Sequence, residues 1–382
     1  MQPMPPPIPT AQVTEGNVRV HLGNAFYRPH SQRSRDLGVL AAAVYRQQTG
    51  RLRVLDAMTG SGIRVLRYGV EAQADELWAN DGNPDVAEVL RQNLANFSHC
   101  KAIAECRITH ESVPQIFWQC AIEQDYYDLI DIDSFGNPAA WVAACLLAVR
   151  SGGLIYLTST DGRAISGHFP QDSLRLYGAY TRSTPSVQEH ALRLMMGSLA
   201  QQGAMQGFTI EPVFSLYSGQ IYRVMVRVQH RVPQFEKHHG FVAYCPSCGA
   251  YQLPTWRHLT RASCPDHDRP LPMALVGPLW TGPLHDPNFL QDMIAIAPRF
   301  KTLSGVQRFL ELLRDEAMLP PFHYPCGEIG RRGKLDIPKR DRLLEELQAQ
   351  QHLAVRTHFS DNAIKTTASI AEVIRAARAI LL

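Results

Sequence analysis

The chain has 382 residues, of which 45% are hydrophobic and 19% are charged, and its formal net charge is +3. This composition predicts a folded globular protein of two or three domains and excludes a disordered or fibrous chain. The small positive charge allows a polyanionic partner, but it is weaker than the charge of a typical non-specific nucleic-acid binder.

The sequence carries no signal for a membrane or for secretion. No apolar run approaches the length that spans a bilayer, and residues 1–9 are rich in proline without the apolar segment of a secretory signal. The eight cysteines suit a reducing compartment. We therefore expect a cytoplasmic protein that binds no membrane, and we infer no obligate protein partner.

The first 231 residues alternate between predicted strands and predicted helices. Strands are expected at residues 14–20, 53–56, 76–81, 102–110, 127–132 and 153–159, and helices at 39–47, 63–70, 84–96 and 139–150. Two apolar stretches, 208–210 and 221–228, are expected to close the sheet as a hairpin. This alternation predicts an open, mostly parallel α/β sheet of the Rossmann-like type.

The turn after the first strand of this sheet carries Asp56, Gly60 and Gly62 and leads into a helix. Glycines let the backbone come close to a ligand. Val65 occupies the third glycine position of the dinucleotide fingerprint, which argues against a bound pyrophosphate. An acid four residues before Gly-x-Gly instead favours S-adenosylmethionine, whose ammonium group needs a carboxylate partner.

Acidic residues follow the later strands of the predicted sheet. Asp81 ends the second strand, in the position that binds ribose hydroxyls, and Glu111 follows the third, where it could meet the adenine amino group. The fourth strand runs into residues 131–136, which read Asp-Ile-Asp-Ser-Phe-Gly. A carboxylate beside an aromatic ring suits a planar base with an exocyclic amine, because the ring stacks on the base and the carboxylate accepts a hydrogen bond and a proton. The alternative is a strand end capped by an Asx-turn.

These motifs resemble the tRNA (guanine-N2)-dimethyltransferase family over nearly the whole chain. The segments that look like family landmarks are residues 26–29, 35–37, 56–64, 80–81, 131–136, 158–161, 175–178, 277–280 and 356–359. The last two lie outside a generic methyltransferase domain, which makes the resemblance specific. One departure is Ser134, which stands where the family usually has proline.

The resemblance implies methyl transfer from S-adenosylmethionine to the exocyclic N2 of guanosine in tRNA, at position 26, with the neighbouring position as a second candidate. It implies that Asp133 is catalytic, and we expect Phe135 to stack on the purine. The expected cofactor contacts are Phe26, Arg35, Asp56, Gly60, Gly62, Arg64, Asp81, Glu111, Ser112 and Asp131.

Four candidate metal ligands lie in the C-terminal part. Cys245 and Cys248 are followed by Cys264 and His267, and Cys-x2-Cys with Cys-x2-His is the spacing of a zinc ribbon. We expect a structural Zn²⁺ at these residues. Free cytosolic thiols are the alternative. The family more often has cysteine at position 267, and Cys326 could compete with His267 as the fourth ligand.

A basic segment, residues 331–342, lies between a predicted helix at 305–318 and another at 343–347. The order of helix, basic loop, helix and hairpin predicts a winged-helix-like part at about residues 300–382. The expected contacts with tRNA phosphates are Arg331, Arg332, Lys339 and Arg340. A solvated basic face is the alternative.

The sequence therefore predicts two domains. Residues 1–231 would form the S-adenosylmethionine-dependent methyltransferase domain, and residues 232–382 a smaller α+β domain that binds tRNA and carries the zinc knuckle at about 241–270. Val232-Pro233 marks the expected boundary. Two rival interpretations stay open: an amino-methyltransferase that acts on another base of DNA or RNA, and a non-catalytic zinc-ribbon protein that binds RNA.

Overall fold

The computed structural model describes residues 11–95, 105–231, 235–267, 269–300 and 305–381. Its first part contains, in chain order, β1 (Gln12–Glu15), β2 (Val18–His21), α1 (Gln32–Thr49), β3 (Arg53–Asp56), α2 (Ile63–Val70), β4 (Glu76–Asn80), α3 (Ala87–Ala95), β5 (Glu105–Thr109), α4 (Val113–Glu123), β6 (Tyr127–Ile132), α5 (Ala139–Cys145), β7 (Val149–Ser159), α6 (Gly162–Ile165), α7 (Pro170–Tyr177), α8 (Val187–Met205), β8 (Thr209–Ser218) and β9 (Ile221–Gln229). Its second part contains β10 (His239–Tyr244), β11 (Tyr251–Gln252), β12 (Ser263–Cys264), β13 (Leu271–Pro272), β14 (Ala274–Trp280), α9 (Pro287–Ile296), α10 (Val306–Glu316), β15 (Tyr324–Pro325), α11 (Cys326–Gly333), α12 (Arg340–Ala349), β16 (Ala354–Thr357), β17 (Ser360–Thr366) and α13 (Ile370–Ala379). The proline-rich residues 1–9 and the expected boundary at Val232-Pro233 lie outside the described residues.

Seven strands form one sheet in the order β5-β4-β3-β6-β7-β9-β8. The first five are parallel to one another, and β9 runs antiparallel to both β7 and β8. The predicted open, mostly parallel α/β sheet is therefore confirmed. The strand order reverses between β3 and β6, and ligands bind at the carboxyl ends of strands at such a point. The register pairs Asp56 with Asp131 across these two strands, so both carboxylates lie at that edge.

Helices cover both faces of the sheet. Every residue of β6 is buried, as expected for a parallel strand packed on both sides. One apolar cluster joins the sheet to α1, α2, α9 and α10, and the other joins it to α4, α5 and α8. The two-domain division at residue 231 stays a prediction, and the first of these clusters extends across it, because α9 and α10 follow that residue in the chain. Among the described helices, none combines the length and the hydropathy needed to cross a bilayer.

Helix α1 begins at Gln32, well before its predicted start at residue 39. Its first turns contain Arg35 and Asp36, whose charges suggest a solvated loop but which are both buried here. Arg35 pairs with Glu15, and Asp36 pairs with Arg67 at 2.6 Å. The ion pairs of Arg35 and Asp36 therefore extend α1 beyond the start that its apolar pattern predicts. The single strand predicted at residues 14–20 is instead two strands, β1 and β2, which pair as a hairpin.

The C-terminal elements have an apolar cluster of their own, formed by α11, α12, α13 and the sheet β15-β17-β16. The expected basic loop is partly helical, because α11 contains Arg331 and Arg332. A helix, a hairpin and a further helix follow this segment in the order α12, β16-β17 and α13. The winged-helix-like part stays a prediction.

A buried carboxylate joins these elements to the first part of the molecule. Glu189 of α8 accepts hydrogen bonds from Arg193 (2.8 Å), from Lys365 Nζ of β17 (2.9 Å) and from the backbone N–H of His323 (3.0 Å). Burial raises the pKa of Glu189, but the charges of Lys365 and Arg193 outweigh it and hold the pKa well below its usual range. The carboxylate is therefore ionised, and its removal would leave two buried cations without their counter-charge.

Replacing Glu189 with glutamine should destabilise the protein by about 3–5 kcal/mol, the usual cost of breaking a buried ion pair by removing one partner. Urea denaturation at neutral pH measures this change. The matched control is Glu211→Gln, because Glu211 pairs with Arg231 at the surface, where about 1 kcal/mol or less is expected. Equal losses for the two variants would contradict a role for Glu189 in joining the two parts.

Candidate active site and metal-ligand cluster

A pocket of about 820 Å³ opens at the carboxyl ends of β3, β4 and β6. A pocket of this size can hold a cofactor together with part of a second ligand. Seven of the predicted catalytic and cofactor residues line it, namely Phe26, Arg35, Gly60, Arg64, Asp81, Asp133 and Phe135. The other five do not line it, namely Asp56, Gly62, Glu111, Ser112 and Asp131.

The glycine turn and the end of β4 form one wall of the pocket. Gly60 and Gly62 have φ angles of 55° and 84°, in the left-handed region that favours glycine, and Gly62 precedes the first residue of α2. The N–H of Gly60 donates to Asp81 Oδ2 at 2.8 Å, and the N–H of Asn83 donates to Asp81 Oδ1 at 2.9 Å. Two backbone amides thus hold the Asp81 carboxylate in position at the pocket.

Glu111 and Ser112 lie at the end of this wall. The backbone of Glu111 is held by the Asn80 side chain, which accepts from its N–H and donates to its C=O at 3.0 Å each. The Glu111 side chain is exposed, and Ser112 precedes the first residue of α4, next to the pocket-lining Val113. The predicted adenine contact of Glu111 stays a prediction.

Two arginines hold the carboxylate of Asp133. Arg64 of α2 approaches Oδ2 with Nε at 2.9 Å and Nη2 at 2.8 Å, and Arg223 of β9 donates from Nη2 to Oδ1 at 2.5 Å. Both arginine side chains are buried, whereas the Asp133 side chain keeps about a third of its surface exposed to the pocket. Burial raises the pKa of Asp133, but the charges of Arg223 and Arg64 outweigh it and lower the pKa well below its usual range. Asp133 is therefore a fixed, ionised hydrogen-bond acceptor.

The two other carboxyl groups of this edge lie deeper. Asp131 is completely buried and accepts from Tyr68 Oη at 2.6 Å and from Arg64 Nη1 at 3.2 Å. Asp56 is also completely buried, and its Oδ2 has no hydrogen-bond partner among the described residues. Burial, followed by the charge of Asp131, raises the pKa of Asp56 well above its usual range. Of the three, Asp133 alone reaches the pocket.

Aromatic rings stand at the pocket mouth. Phe135 is 92% exposed and Phe26 is 82% exposed, although both line the pocket. Such exposure of apolar rings beside a cavity indicates a surface that a planar ligand covers. Ser134, between the catalytic candidates, is buried and donates its hydroxyl to the C=O of Thr158 at 2.8 Å. This hydrogen bond restrains the turn at the position where the family usually has proline, whose ring would make the turn rigid.

Arg35 lies in the pocket wall but is engaged by a carboxylate. Its Nε and Nη2 donate to the two oxygens of Glu15 at 2.7 and 2.6 Å. Glu15 also accepts from Arg67 Nη1 at 2.7 Å, which connects β1 to α1 and α2. A cofactor contact of Arg35 stays a prediction that would use the remaining face of the guanidinium.

Arg223, the second arginine that binds the carboxylate of Asp133, was not predicted as a site residue from the sequence. The residue belongs to a strand far from residues 131–136 in the chain, and only the antiparallel insertion of β9 beside β7 brings them together. A usable signal was present, because Arg223 interrupts the apolar run 221–228 at a position facing the interior. A buried arginine in a strand needs an anionic partner.

The predicted metal ligands also come together. Cys245 Sγ lies 3.4 Å from His267 Nε2, Cys248 Sγ lies 3.5 Å from Cys264 Sγ, and all four ligand atoms are within 4.8 Å of one another. Tetrahedral zinc at its usual Zn–S distance requires sulfur atoms about 3.8 Å apart. The donor set therefore fits Zn²⁺. Cys326 is not a member of this cluster, and it lies buried at the first position of α11.

Several cations of the basic segment are bound within the chain. Arg332 donates to Glu328 and to the C=O groups of Pro246 and Ser247, and its side chain is 6% exposed. Arg331 also pairs with Glu328, and Arg340 pairs with Asp341. The side chain of the exposed Lys339 has no partner among the described residues. The four predicted phosphate contacts stay predictions, and the arrangement favours Arg332 least.

The sheet order and the pocket at its reversal define a Rossmann-like methyltransferase fold. Trm1 from Pyrococcus horikoshii, solved in complex with S-adenosyl-L-methionine, matches this fold with a TM-score of 0.82 at 24% identity, covering 96% of this chain and 99% of that chain. A family model described as N2,N2-dimethylguanosine tRNA methyltransferase matches residues 9–378. The chain belongs to this family.

Curated relatives match over nearly their whole length. The tRNA (guanine(26)-N(2))-dimethyltransferase of Saccharolobus solfataricus is 28% identical over 97% of this chain and 94% of its own sequence. The protein of the same name from Pyrococcus abyssi is 27% identical over 94% of this chain and 96% of its own sequence. The resemblance stated from the motifs is therefore confirmed.

Proposed function

We propose that this protein transfers methyl groups from S-adenosylmethionine to the exocyclic N2 of a guanosine in tRNA, first giving N2-methylguanosine and then N2,N2-dimethylguanosine. Position 26 is the favoured target, since the names of the curated relatives state it for those proteins. The single observation that carries the proposal is the ionised Asp133, held by Arg64 and Arg223 at the mouth of the pocket beside the exposed ring of Phe135.

The residues of the pocket fit the cofactor. Asp81 presents a fixed carboxylate at the end of β4, where ribose hydroxyls are bound in folds of this type. The hydroxyl of Thr158, a residue that lines the pocket, is buried without a hydrogen-bond partner in the described part of the chain, which suits a site that gains polar contacts on binding. When bound, S-adenosylmethionine supplies a methyl group made electrophilic by its sulfonium.

Asp133 would bind and orient the amine of the base. Its carboxylate accepts a hydrogen bond from N2–H and so aligns the nitrogen lone pair, which is otherwise delocalised into the purine. The lowered pKa makes Asp133 a poor base toward a neutral amine. The proton therefore leaves after the N–C bond has formed, because the nitrogen is then cationic and acidic enough for a weak carboxylate to accept it.

Phe135 would hold the plane of the base. Its ring presents an exposed face at the mouth of the pocket, and stacking on such a face stabilises an unstacked base by about 1–3 kcal/mol, whereas Phe26 is kept as an expected cofactor contact. The target guanosine must leave its helical stack, which costs a few kcal/mol that stacking helps to offset. A second methylation requires the pocket to accept a base that already carries one methyl group.

The rival interpretations have less support. An amino-methyltransferase acting on another base would need the same motif after β6, but the family match extends to residue 378, far beyond the sheet. A non-catalytic zinc-ribbon protein would have no reason to keep an ionised Asp133 facing an open pocket. A cytoplasmic location agrees with the described cysteines, none of which forms a disulfide.

A structural Zn²⁺ completes the proposal for the C-terminal part. Cys245, Cys248, Cys264 and His267 would bind the ion in a closed tetrahedral shell, which leaves no open position for catalysis. The ion would fix the two knuckles, which lie after β10 and at β12.

The test of the catalytic assignment compares Asp133→Asn with Asp131→Asn. Asn keeps the shape and one acceptor but removes the charge, so single-turnover methyl transfer to tRNA should fall by about a hundredfold or more for Asp133→Asn. Binding of cofactor and tRNA should persist in that variant. Asp131→Asn should act mainly on stability, because Asp131 is buried against Tyr68. Near-normal rates for Asp133→Asn would refute the assignment.

The pH dependence of the methyl-transfer rate tests whether Arg64 and Arg223 lower the pKa of Asp133. Arg223→Met removes a cation that lowers the pKa of Asp133, so this pKa should rise toward its ordinary value. Methyl transfer needs the ionised form of Asp133, so the acid limb of the pH–rate profile should move to higher pH in Arg223→Met. In the wild type, protonation of Asp133 should lower the rate only below about pH 4. The control is Arg227→Met, on the same strand but bonded to the C=O of Gly152. An unmoved acid limb would contradict this account.

The metal prediction is direct. Protein purified without chelators should contain about one zinc per chain. Cys248→Ser should lose the metal and unfold the C-terminal part at a lower temperature, because binding energy of structural zinc is folding energy. Cys326→Ser is the matched control and should keep its zinc. Elemental analysis that finds no zinc in the wild type would refute the site.

A further inference from the structure

The segment between the two ligand pairs of the metal cluster has an unusual charge pattern. No acidic residue occurs between Glu236 and Asp266. Within this stretch lies a 3-10 helix, Trp256–Arg261, which we call the knuckle helix, and none of its residues is buried. A positively charged, solvent-facing element in a protein of nearly balanced charge indicates a contact with an anionic partner.

The arginines of the knuckle helix are free, unlike most of those in the basic segment. Arg257 and Arg261 are exposed, and neither side chain has an ion pair or a hydrogen bond within the described ranges of the chain. In the basic segment, Arg331 and Arg332 share the carboxylate of Glu328 instead. A guanidinium already paired with a carboxylate must give up that partner to bind a phosphate, whereas a free one gives up only water.

An aromatic ring is fixed beside these cations. Trp256 is 51% exposed although its Nε1–H donates to the C=O of His239 at 3.1 Å. Its ring also packs edge-on against Phe241, with the centroids 4.9 Å apart. The tryptophan is thus anchored along one side, and its remaining surface faces solvent in a defined orientation. A fixed aromatic face next to cations is the arrangement on which nucleic-acid bases stack.

We propose that the knuckle helix is a contact surface for the tRNA substrate, with Arg257 and Arg261 on backbone phosphates and Trp256 against a base or ribose. This inference rests on the proposed function, because it takes tRNA as the substrate. Phosphate contacts of this kind position the RNA and raise affinity without reading its sequence. The surface therefore acts on affinity for tRNA and leaves cofactor binding and the chemical step to the pocket.

The experiment uses the full-length zinc-loaded protein and measures the Kd for tRNA over a series of salt concentrations. Arg257→Gln combined with Arg261→Gln should raise the Kd by about tenfold or more and lower the salt slope by about 2, one per lost phosphate contact. Trp256→Ala should raise the Kd with little change in slope, and Trp256→Phe should restore most of the affinity. Zinc content, the Kd for S-adenosylmethionine and the single-turnover rate at saturating tRNA should stay unchanged.

Two further pairs of substitutions serve as controls. Arg299→Gln with Arg308→Gln removes the same charge from two other exposed arginines that have no partner in the described part of the chain, and it should change the Kd much less. Arg257→Lys combined with Arg261→Lys keeps the charge, so this pair should retain most of the salt slope.

Two results would overturn the inference. The inference fails if Arg257→Gln with Arg261→Gln has the same Kd for tRNA as the control variant with glutamine at both Arg299 and Arg308. It also fails if the lysine pair loses as much affinity as the glutamine pair, because the arginines would then act on structure rather than on phosphates. Failure of the proposed function looks different: the wild-type protein would then methylate no tRNA guanosine, whatever the knuckle variants do.

Discussion

The contact of Arg64 with Asp131 and Asp133 is the interaction on which the pocket depends. Parallel pairing of β3 and β6 brings three carboxyl groups to one edge of the sheet, where they repel one another. Arg64 of α2 contacts the carboxylates of Asp131 and Asp133, and Arg223 contacts the other oxygen of Asp133. The carboxyl groups of this edge therefore differ: Asp56 is completely buried with a raised pKa, and Asp133 faces the pocket with a lowered pKa.

The lowered pKa of Asp133 has a chemical consequence. A carboxylate that stays ionised at the pocket can hold an amine at any physiological pH, but it is too weak a base to activate the amine by removing its proton. Methyl transfer to an amine by a sulfonium needs orientation more than deprotonation, because the electrophile is already activated and in-line positioning supplies much of the rate. The arginine pair therefore suits Asp133 to orienting a substrate.

A second set of buried ion pairs holds the other side of the pocket. Glu15 of β1 accepts from Arg35 and Arg67, and so fastens the N-terminal hairpin to α1 and α2. The segment that follows the hairpin carries Phe26 to the pocket mouth. A ring that is 82% exposed can keep a defined position only if the chain on both sides of it is fixed. Buried arginines thus serve as supports for an exposed aromatic residue.

Much of the fold and part of the site follow from the sequence. The apolar run of β6, the glycine turn before α2 and the spacing of the cysteines each report a local constraint, and each predicted an element or a cluster that the structure contains. The position of Asp133 at the edge of the sheet follows in the same way, since a polar residue after a buried strand lies at that edge, and its catalytic role stays a proposal. These features depend on neighbours in the chain.

The rest was decided by tertiary structure. Arg223 contacts Asp133 only because β9 inserts beside β7, and Arg35 pairs with Glu15 only because the hairpin folds back on α1. Arg332 and Arg257 look alike in the sequence, yet Glu328 neutralises the first and nothing among the described residues neutralises the second. The physical reason is common to all three: an arginine's role depends on which carboxylate lies within hydrogen-bond distance, and that distance is set by long-range packing.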